Sequence, residues 1–246
     1  MDAPETAPPV AVPPIVFIGD SITEQWSFYR AGTFEAYGLI PRGVSGETAG
    51  WVARRFRGEL ERSGARGVHL LCGVNDIGRN GGVFVSTDEI VATLLGMLDE
   101  ARALGVKAWV GSITPAANIP WNPGVPDAPA MIDAVNVRLR AEAPAHGATF
   151  IDYYAVLADG SGGLRTEYGS DGLHLSPAGY AAIEPLMLTA LGRIAPPATA
   201  ATPAPAAPEA PARTAFGPIG RTGAAALAAL AALVVLVLLA LAVARS

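Results

Sequence analysis

The sequence predicts an α/β domain, a parallel β-sheet covered by helices on both faces. Two observations predict it. Short apolar runs alternate with longer stretches of helical periodicity, and the polar residues best suited to chemistry each follow a different apolar run. Residues 15–18, 37–40, 68–71, 106–113 and 149–151 read as five strands. Residues 48–61, 87–104 and 128–143 read as the helices between them. In the second of these helices Ile90, Val91, Leu94, Leu95 and Leu98 recur on one face. Ser176-Pro177 reads as a helix start, serine as N-cap and proline in the first turn, with the helix continuing toward Leu191. In open parallel sheets, sites form outside the carboxyl ends of the strands. Ser21, Gly46, Asn75 and the Asp171/His174 pair are thereby expected at one rim.

The 246 residues suffice for one core plus additional segments. A net charge of -5 gives no basic surface for nucleic acid, and the chain shows no nucleic-acid-binding motif. The single cysteine, Cys72, excludes an intrachain disulfide and a multi-cysteine metal site; its apolar surroundings suggest a small buried hydrophobe. No glycine-rich phosphate loop or metal-ligand spacing appears, so neither cofactor nor metal is expected. Arg54, Arg55 and Arg57 read as a solvated helix face.

The domain organisation expected is a disordered segment 1–10, a catalytic domain 11–194, a Pro/Ala-rich linker 195–222 and a transmembrane helix 224–243. The last stretch contains only alanine, leucine and valine. A helix of that length spans about 30 Å, the thickness of a hydrocarbon core. The proline density of 195–222 forbids a continuous helix or sheet ladder and suits a semi-extended tether. Residues 1–14 contain Asp2 and Glu5, no lysine or arginine, and no apolar run of signal-peptide length. The expectation is a C-terminal membrane anchor with the catalytic domain on the cytoplasmic side. An export signal missed at the start would reverse that topology.

Ser21 follows the first apolar run in Gly19-Asp20-Ser21-Ile22, a position where α/β enzymes place a nucleophile. A serine needs a base, and there are three histidines. His69 lies within a strand and reads as a core residue, and His146 reads as a surface-loop residue. His174 stands in a polar loop before the last helix, three residues after Asp171, which is placed to fix its tautomer. The Ser21 amide, the Gly46 amide and the Asn75 side chain supply three donors for a developing oxyanion. Trp121, in the proline-rich loop 115–129, is a candidate lining residue for an acyl or sugar pocket.

With these motifs the sequence resembles the SGNH (GDSL-type) hydrolases, from Gly19-Asp20-Ser21-Ile22-Thr23 through Asp171-Gly172-Leu173-His174-Leu175-Ser176-Pro177-Ala178-Gly179-Tyr180. The likeness is nearest to small bacterial platelet-activating-factor-acetylhydrolase-like and carbohydrate-acetylesterase-like members. The resemblance implies a flavodoxin-like three-layer α/β/α fold and metal-free serine esterase chemistry. It implies Ser21 as nucleophile, His174 as base, Asp171 as its partner, and Ser21, Gly46 and Asn75 as the oxyanion hole. Pro41 and Val74 depart from the family pattern, at positions that bear on local packing. The function expected is hydrolysis of short-chain, chiefly acetyl, esters, on a small acyl ester, an acetylated glycan or a lipid. The alternatives are a lysophospholipase or thioesterase acting on longer chains, or a catalytically silent acyl-ligand-binding domain.

Overall fold

A computed structural model describes residues 13–125 and 127–194. The expected transmembrane helix 224–243, the linker 195–222 and the segment 1–10 lie outside these residues. Among the described residues no helix is long and apolar enough to cross a membrane.

Five parallel strands form one sheet in the order β2-β1-β3-β4-β5. They are β1 (Ile15–Gly19), β2 (Leu39–Gly43), β3 (Gly67–Leu71), β4 (Lys107–Gly111) and β5 (Ala148–Ile151). The helices are α1 (Ser21–Tyr29), α2 (Ala31–Ala36), α3 (Ala49–Ser63), α4 (Val74–Ile77), α5 (Thr87–Ala103), α6 (Ala128–Glu142), α7 (Tyr154–Leu157) and α8 (Pro177–Ala190). A 3₁₀ turn, Ala143–His146, precedes β5. α3, α5 and α6 pack side by side, as do α1, α7 and α8. This gives the three-layer α/β/α arrangement expected, because right-handed crossovers carry successive connections to opposite faces where the strand order reverses. That reversal lies at β1, which β2 and β3 flank on opposite sides.

β1 and β3 are buried along their whole length. Alternation at period two divides their side chains between the layers. Phe17, His69 and Trp109 stand in register on one face. There the Phe17 ring stacks on His69 at 4.3 Å and meets Trp26 of α1 edge-on at 5.8 Å. Trp109 Nε1 donates to the Ala190 carbonyl at the end of α8. Full burial of one such aromatic contributes on the order of 2–3 kcal/mol, so this layer holds α1 and α8 firmly against the sheet. His69 accordingly is a core residue; burial pushes its pKa down to about 3, and its Nε2 lies 2.8 Å from the Tyr153 hydroxyl.

Caps set the helix ends. Ser86 and Glu89 form a reciprocal capping box on α5, and Ser176 accepts from the Gly179 amide at the start of α8. The second strand starts later than the sequence suggests: Tyr37 and Gly38 form the turn, and the strand continues through Pro41 and Arg42. β2 is an edge strand, where proline and a charged residue are tolerated. The run at 106–113 overshoots its strand, because Ser112 and Ile113 remain buried after β4 ends.

Candidate active site

The turn between β1 and α1 is built by close approach. A Cβ on Gly19 would lie 1.9 Å from the Leu71 carbonyl oxygen of β3, so only glycine lets the two strand ends sit this near. Asp20 then caps α1, its Oδ1 accepting from the Ile22 amide at 3.0 Å. Ser21 is the first residue of α1, where backbone amides have no helical acceptor. The Thr23 hydroxyl donates to the Leu71 carbonyl at 3.1 Å and locks the helix start to β3.

Ser21 Oγ lies 3.1 Å from His174 Nε2. His174 Nδ1 in turn lies 2.7 Å from Asp171 Oδ2. The other oxygen of Asp171 accepts from the Leu173 amide at 2.9 Å and the His174 amide at 2.7 Å, so the loop itself fixes the carboxylate. Burial pushes the Asp171 carboxyl up, but the bonds from the His174 ring and these two amides outweigh it and hold it below the ordinary value. An ionised carboxylate on Nδ1 keeps that nitrogen protonated and leaves Nε2 free to accept the serine proton.

The second loop, between β2 and α3, carries Gly46 at φ +81°, a left-handed conformation that favours glycine. Asn75 comes from α4, directly after β3. Its Nδ2 donates to the Glu47 carbonyl at 2.9 Å, and its Oδ1 accepts from Asn80 Nδ2 at 3.0 Å. These bonds orient the amide with one nitrogen hydrogen still to give. Asp76, by contrast, turns away, accepting from the Ala49 amide at the start of α3. Burial raises Asp76 to about 6 and Asp20 to about 7.

Ser21, Gly46, Asn75, Trp121 and His174 line one recess of about 320 Å³, together with Gln25, Ser45 and Asn80. A neighbouring recess of about 250 Å³, on the Asp171 flank, shares His174 and Gln25. All of the sequence-derived candidates thus stand at one rim. His146 lies apart, 3.0 Å from Asp99. The sequence reading does not single out Gln25, Asn80, Glu24, Glu47 or Arg55 as site residues. Gln25 had a signal, since it lies four residues after Ser21 and shares its helix face once α1 is recognised. Arg55 corrects the expected solvated face. Arg54 and Arg57 are exposed, but Arg55 points inward to backbone carbonyls and Glu47. Among the described residues no group of three His, Cys, Asp or Glu side chains is placed to share a metal ion.

The arrangement has the parts of an acyl-transfer site: a hydroxyl against an imidazole, a carboxylate behind it, and donors beside it. The profile of the GDSL-like Lipase/Acylhydrolase family matches residues 17–182, which include every one of these groups. A GDSL-like lipase from Bacteroides thetaiotaomicron is similar in structure, with a TM-score of 0.71 and 32% identity over 76% of this chain and 92% of that one. A Bacteroides fragilis protein assigned as an acylhydrolase gives a TM-score of 0.70 and 31% identity over 74% of this chain and 91% of its own. An acetylxylan esterase from Geobacillus stearothermophilus shares the fold, with a TM-score of 0.61 and 20% identity over 73% and 94% of the two chains. No curated protein sequence matches the chain. The chain belongs to the GDSL-like lipase/acylhydrolase family and is a carboxylic ester hydrolase.

Proposed function

We propose that the chain hydrolyses short-chain carboxylic esters, acetyl esters foremost, through an acyl-enzyme on Ser21. The observation that carries this reading is the continuous line Ser21 Oγ, His174 Nε2, His174 Nδ1, Asp171 Oδ2, with separations of 3.1 Å and 2.7 Å at its two hydrogen bonds. His174 takes the Ser21 proton as Oγ attacks the ester carbon. The carbonyl oxygen becomes an oxyanion facing the Ser21 and Gly46 amides and Asn75 Nδ2. Collapse breaks the carbon–alkoxy bond, and His174 gives its proton to the departing alcohol. Water then adds to the acyl-serine with His174 again taking the proton, and the acid leaves as Ser21 is reprotonated.

The short acyl preference is supported by the character of the recess beside Ser21. Ser45, Asn75 and Asn80 line it with polar groups, and Trp121 alone supplies an apolar wall. The acetylxylan esterase among the structural neighbours agrees with that preference. The apolar stretch 224–243 supports attachment to a membrane, and the cytoplasmic face is the side we propose for the catalytic domain.

The test is a series of 4-nitrophenyl esters from acetyl to octanoyl and longer lysolipids, assayed with the full chain. Acetate is expected to be cleaved fastest, and Ser21→Ala to lose about 10⁴-fold or more. Preference for long chains would replace the acetyl assignment with a lysophospholipase. Absence of Ser21-dependent labelling by a fluorophosphonate, in folded protein, would favour a silent acyl-binding domain.

A further inference from the structure

Arg55 lies on α3 and is not among the residues that line the recess, and its side chain is only 20% exposed. Its Nη2 donates to the Gly19 carbonyl at 3.2 Å, the Arg42 carbonyl at 2.8 Å and Glu47 Oε2 at 2.6 Å. Its Nε donates to the same Glu47 oxygen at 2.8 Å. Gly19 ends β1 immediately before Asp20-Ser21, and Arg42 lies near the end of β2 before the Gly46 loop. One guanidinium therefore joins the ends of the two strands that deliver the nucleophile and the glycine amide.

Glu47 extends the linkage. Its carboxylate is gripped by Arg55 while its carbonyl accepts from Asn75 Nδ2 at 2.9 Å. The loop is held from its other side as well. Glu24 of α1 accepts from the Ser45 amide at 3.1 Å and from the Ser45 hydroxyl, and Asn80 Nδ2 donates to the Gly46 carbonyl at 3.0 Å. The Val44 amide donates to the same Gly19 carbonyl that Arg55 reaches. Three donors expected to face one oxyanion, the amides of Ser21 and Gly46 and the side chain of Asn75, thus all trace back to Arg55 within one or two bonds.

We propose that Arg55 is the positioning residue of the oxyanion hole, acting through Gly19, Arg42 and Glu47 without touching substrate. The inference rests on the serine-esterase reading above. The planar fork explains why arginine stands here: Nε and Nη2 hold the Glu47 carboxylate from two points, which fixes the plane in which Nη2 meets the two carbonyls, whereas a freely rotating ammonium fixes no such plane. Donors of this kind accelerate acyl transfer only when held where the charge develops, so loosening them lowers kcat more than it raises KM.

The experiment compares full-length wild type, Arg55→Ala, Arg55→Lys and Glu47→Gln. It measures kcat and KM on 4-nitrophenyl acetate, the thermal midpoint, and inhibition by an alkyl trifluoromethyl ketone, whose Ser21 adduct places an oxyanion in the hole. Arg55→Ala is expected to lower kcat roughly 10–100-fold, within what one oxyanion donor supplies, with KM changed by less than about 3-fold. Ketone affinity should fall by the same factor as kcat/KM. Arg55→Lys should recover the midpoint but not kcat. Glu47→Gln keeps an acceptor for Arg55 and weakens the grip, so it should show the same split in milder form and serves if Arg55→Ala does not fold. Wild-type kcat and ketone affinity in Glu47→Gln together with either folded Arg55 variant would overturn the proposal, as would full restoration of kcat by lysine. An inactive wild type would instead remove the esterase reading itself.

Discussion

Tyr180 donates its phenolic hydrogen to the Ile22 carbonyl at 2.7 Å, joining the helix that follows His174 to the helix that begins with Ser21. The hydroxyl is buried and the residue fully inaccessible, so the bond is made in a low-dielectric layer of aromatic rings. Because Ser21 and His174 meet across 153 residues of sequence, their 3.1 Å separation depends on such cross-helix ties.

Tyr180→Phe keeps the ring and deletes this bond. It should cost about 1 kcal/mol, seen as a fall of roughly 2–4 °C in thermal midpoint, because the Ile22 carbonyl keeps only its place in the helix. A several-fold loss of kcat should accompany it as α1 and the His174 loop gain freedom. A stability loss with wild-type kcat would show that the packed rings alone fix the pair.

Gly78 and Trp121 make a second testable contact. A Cβ on Gly78 would lie 2.7 Å from the Trp121 ring, so Gly78→Ala must displace the indole. Trp121 is 44% exposed, and its ring can move at little cost in stability. Because the added carbon would also lie 3.1 Å from the buried Ile119, the expected outcome is a modest fall in midpoint with a shifted ratio of acetyl to butyryl ester turnover, in the same direction as Trp121→Ala. An unchanged ratio in both variants would remove Trp121 from the acyl wall.

The recess on the Asp171 flank gives a prediction about the alcohol portion of the ester. The departing oxygen must reach His174 Nε2, and the prediction is that the rest of the alcohol rests in the adjoining recess that His174 and Gln25 share with Tyr29, Ser170 and Ser176. Hydroxyls and an amide beside an aromatic ring suit a polyhydroxylated alcohol. Gln25→Ala and Tyr29→Ala should raise KM for an acetylated sugar about 5–20-fold, corresponding to roughly one or two lost hydrogen bonds or stacking contacts. KM for 4-nitrophenyl acetate should change much less. Equal effects on the two substrates would assign the recess no part in alcohol recognition.

Asp20 supplies a pH dependence of stability. Burial raises its pKa from 3.8 to about 7, against the smaller opposing effect of its bond from the Ile22 amide. The folded state therefore binds more protons than the unfolded state between those values, and this contribution to stability falls as pH rises from about 4 to 7. Asp20→Asn preserves a side-chain acceptor for the α1 cap and removes the titration. Urea unfolding should show the variant gaining on wild type across that window, by on the order of 4 kcal/mol at most. A difference that stays flat from pH 4 to 8 would contradict a proton held on Asp20 in the folded protein.

What was legible in the sequence follows from what each element buries. β1 and β3 are covered on both faces, so residues 15–18 and 68–71 read as unbroken apolar runs. α5 announced itself through a one-sided apolar stripe, and α8 through Ser176-Pro177. α1 was not legible: Ser21 through Tyr29 mixes groups that serve the site, such as Gln25, with groups that serve the core, such as Trp26, so no clean stripe appears. Ser21, Gly46 and Asn75 were readable because each comes shortly after a strand end, whereas Asp171 and His174, with α7 between them and β5, were readable as a paired motif just before α8. Arg55 was not, since its partners Gly19, Arg42 and Glu47 meet it only after the β1 and β2 ends are brought together. A charge beside two other arginines on a helix carries no local mark of which one turns inward.

The last prediction concerns the boundary between the catalytic domain and the proposed anchor. Leu191 is buried in the core, and the amides of Arg193 and Ile194 both reach the Leu188 carbonyl, at 2.8 Å and 3.4 Å, closing the end of α8. The Arg193 side chain also donates to the Pro13 carbonyl at 2.5 Å, pinning the chain's exit beside the start of β1. A chain ending at Ile194 keeps all of these contacts. It should therefore match the full chain in thermal midpoint and in kcat/KM on a soluble acetyl ester. The full chain should sediment with membranes and require detergent for release, because 224–243 is apolar throughout, whereas the shortened chain should remain in the supernatant. In intact cells the catalytic domain should resist added protease and become digestible on permeabilisation. Digestion without permeabilisation would place the active rim on the exported face, and a full chain that stays in the supernatant without detergent would remove the anchor altogether.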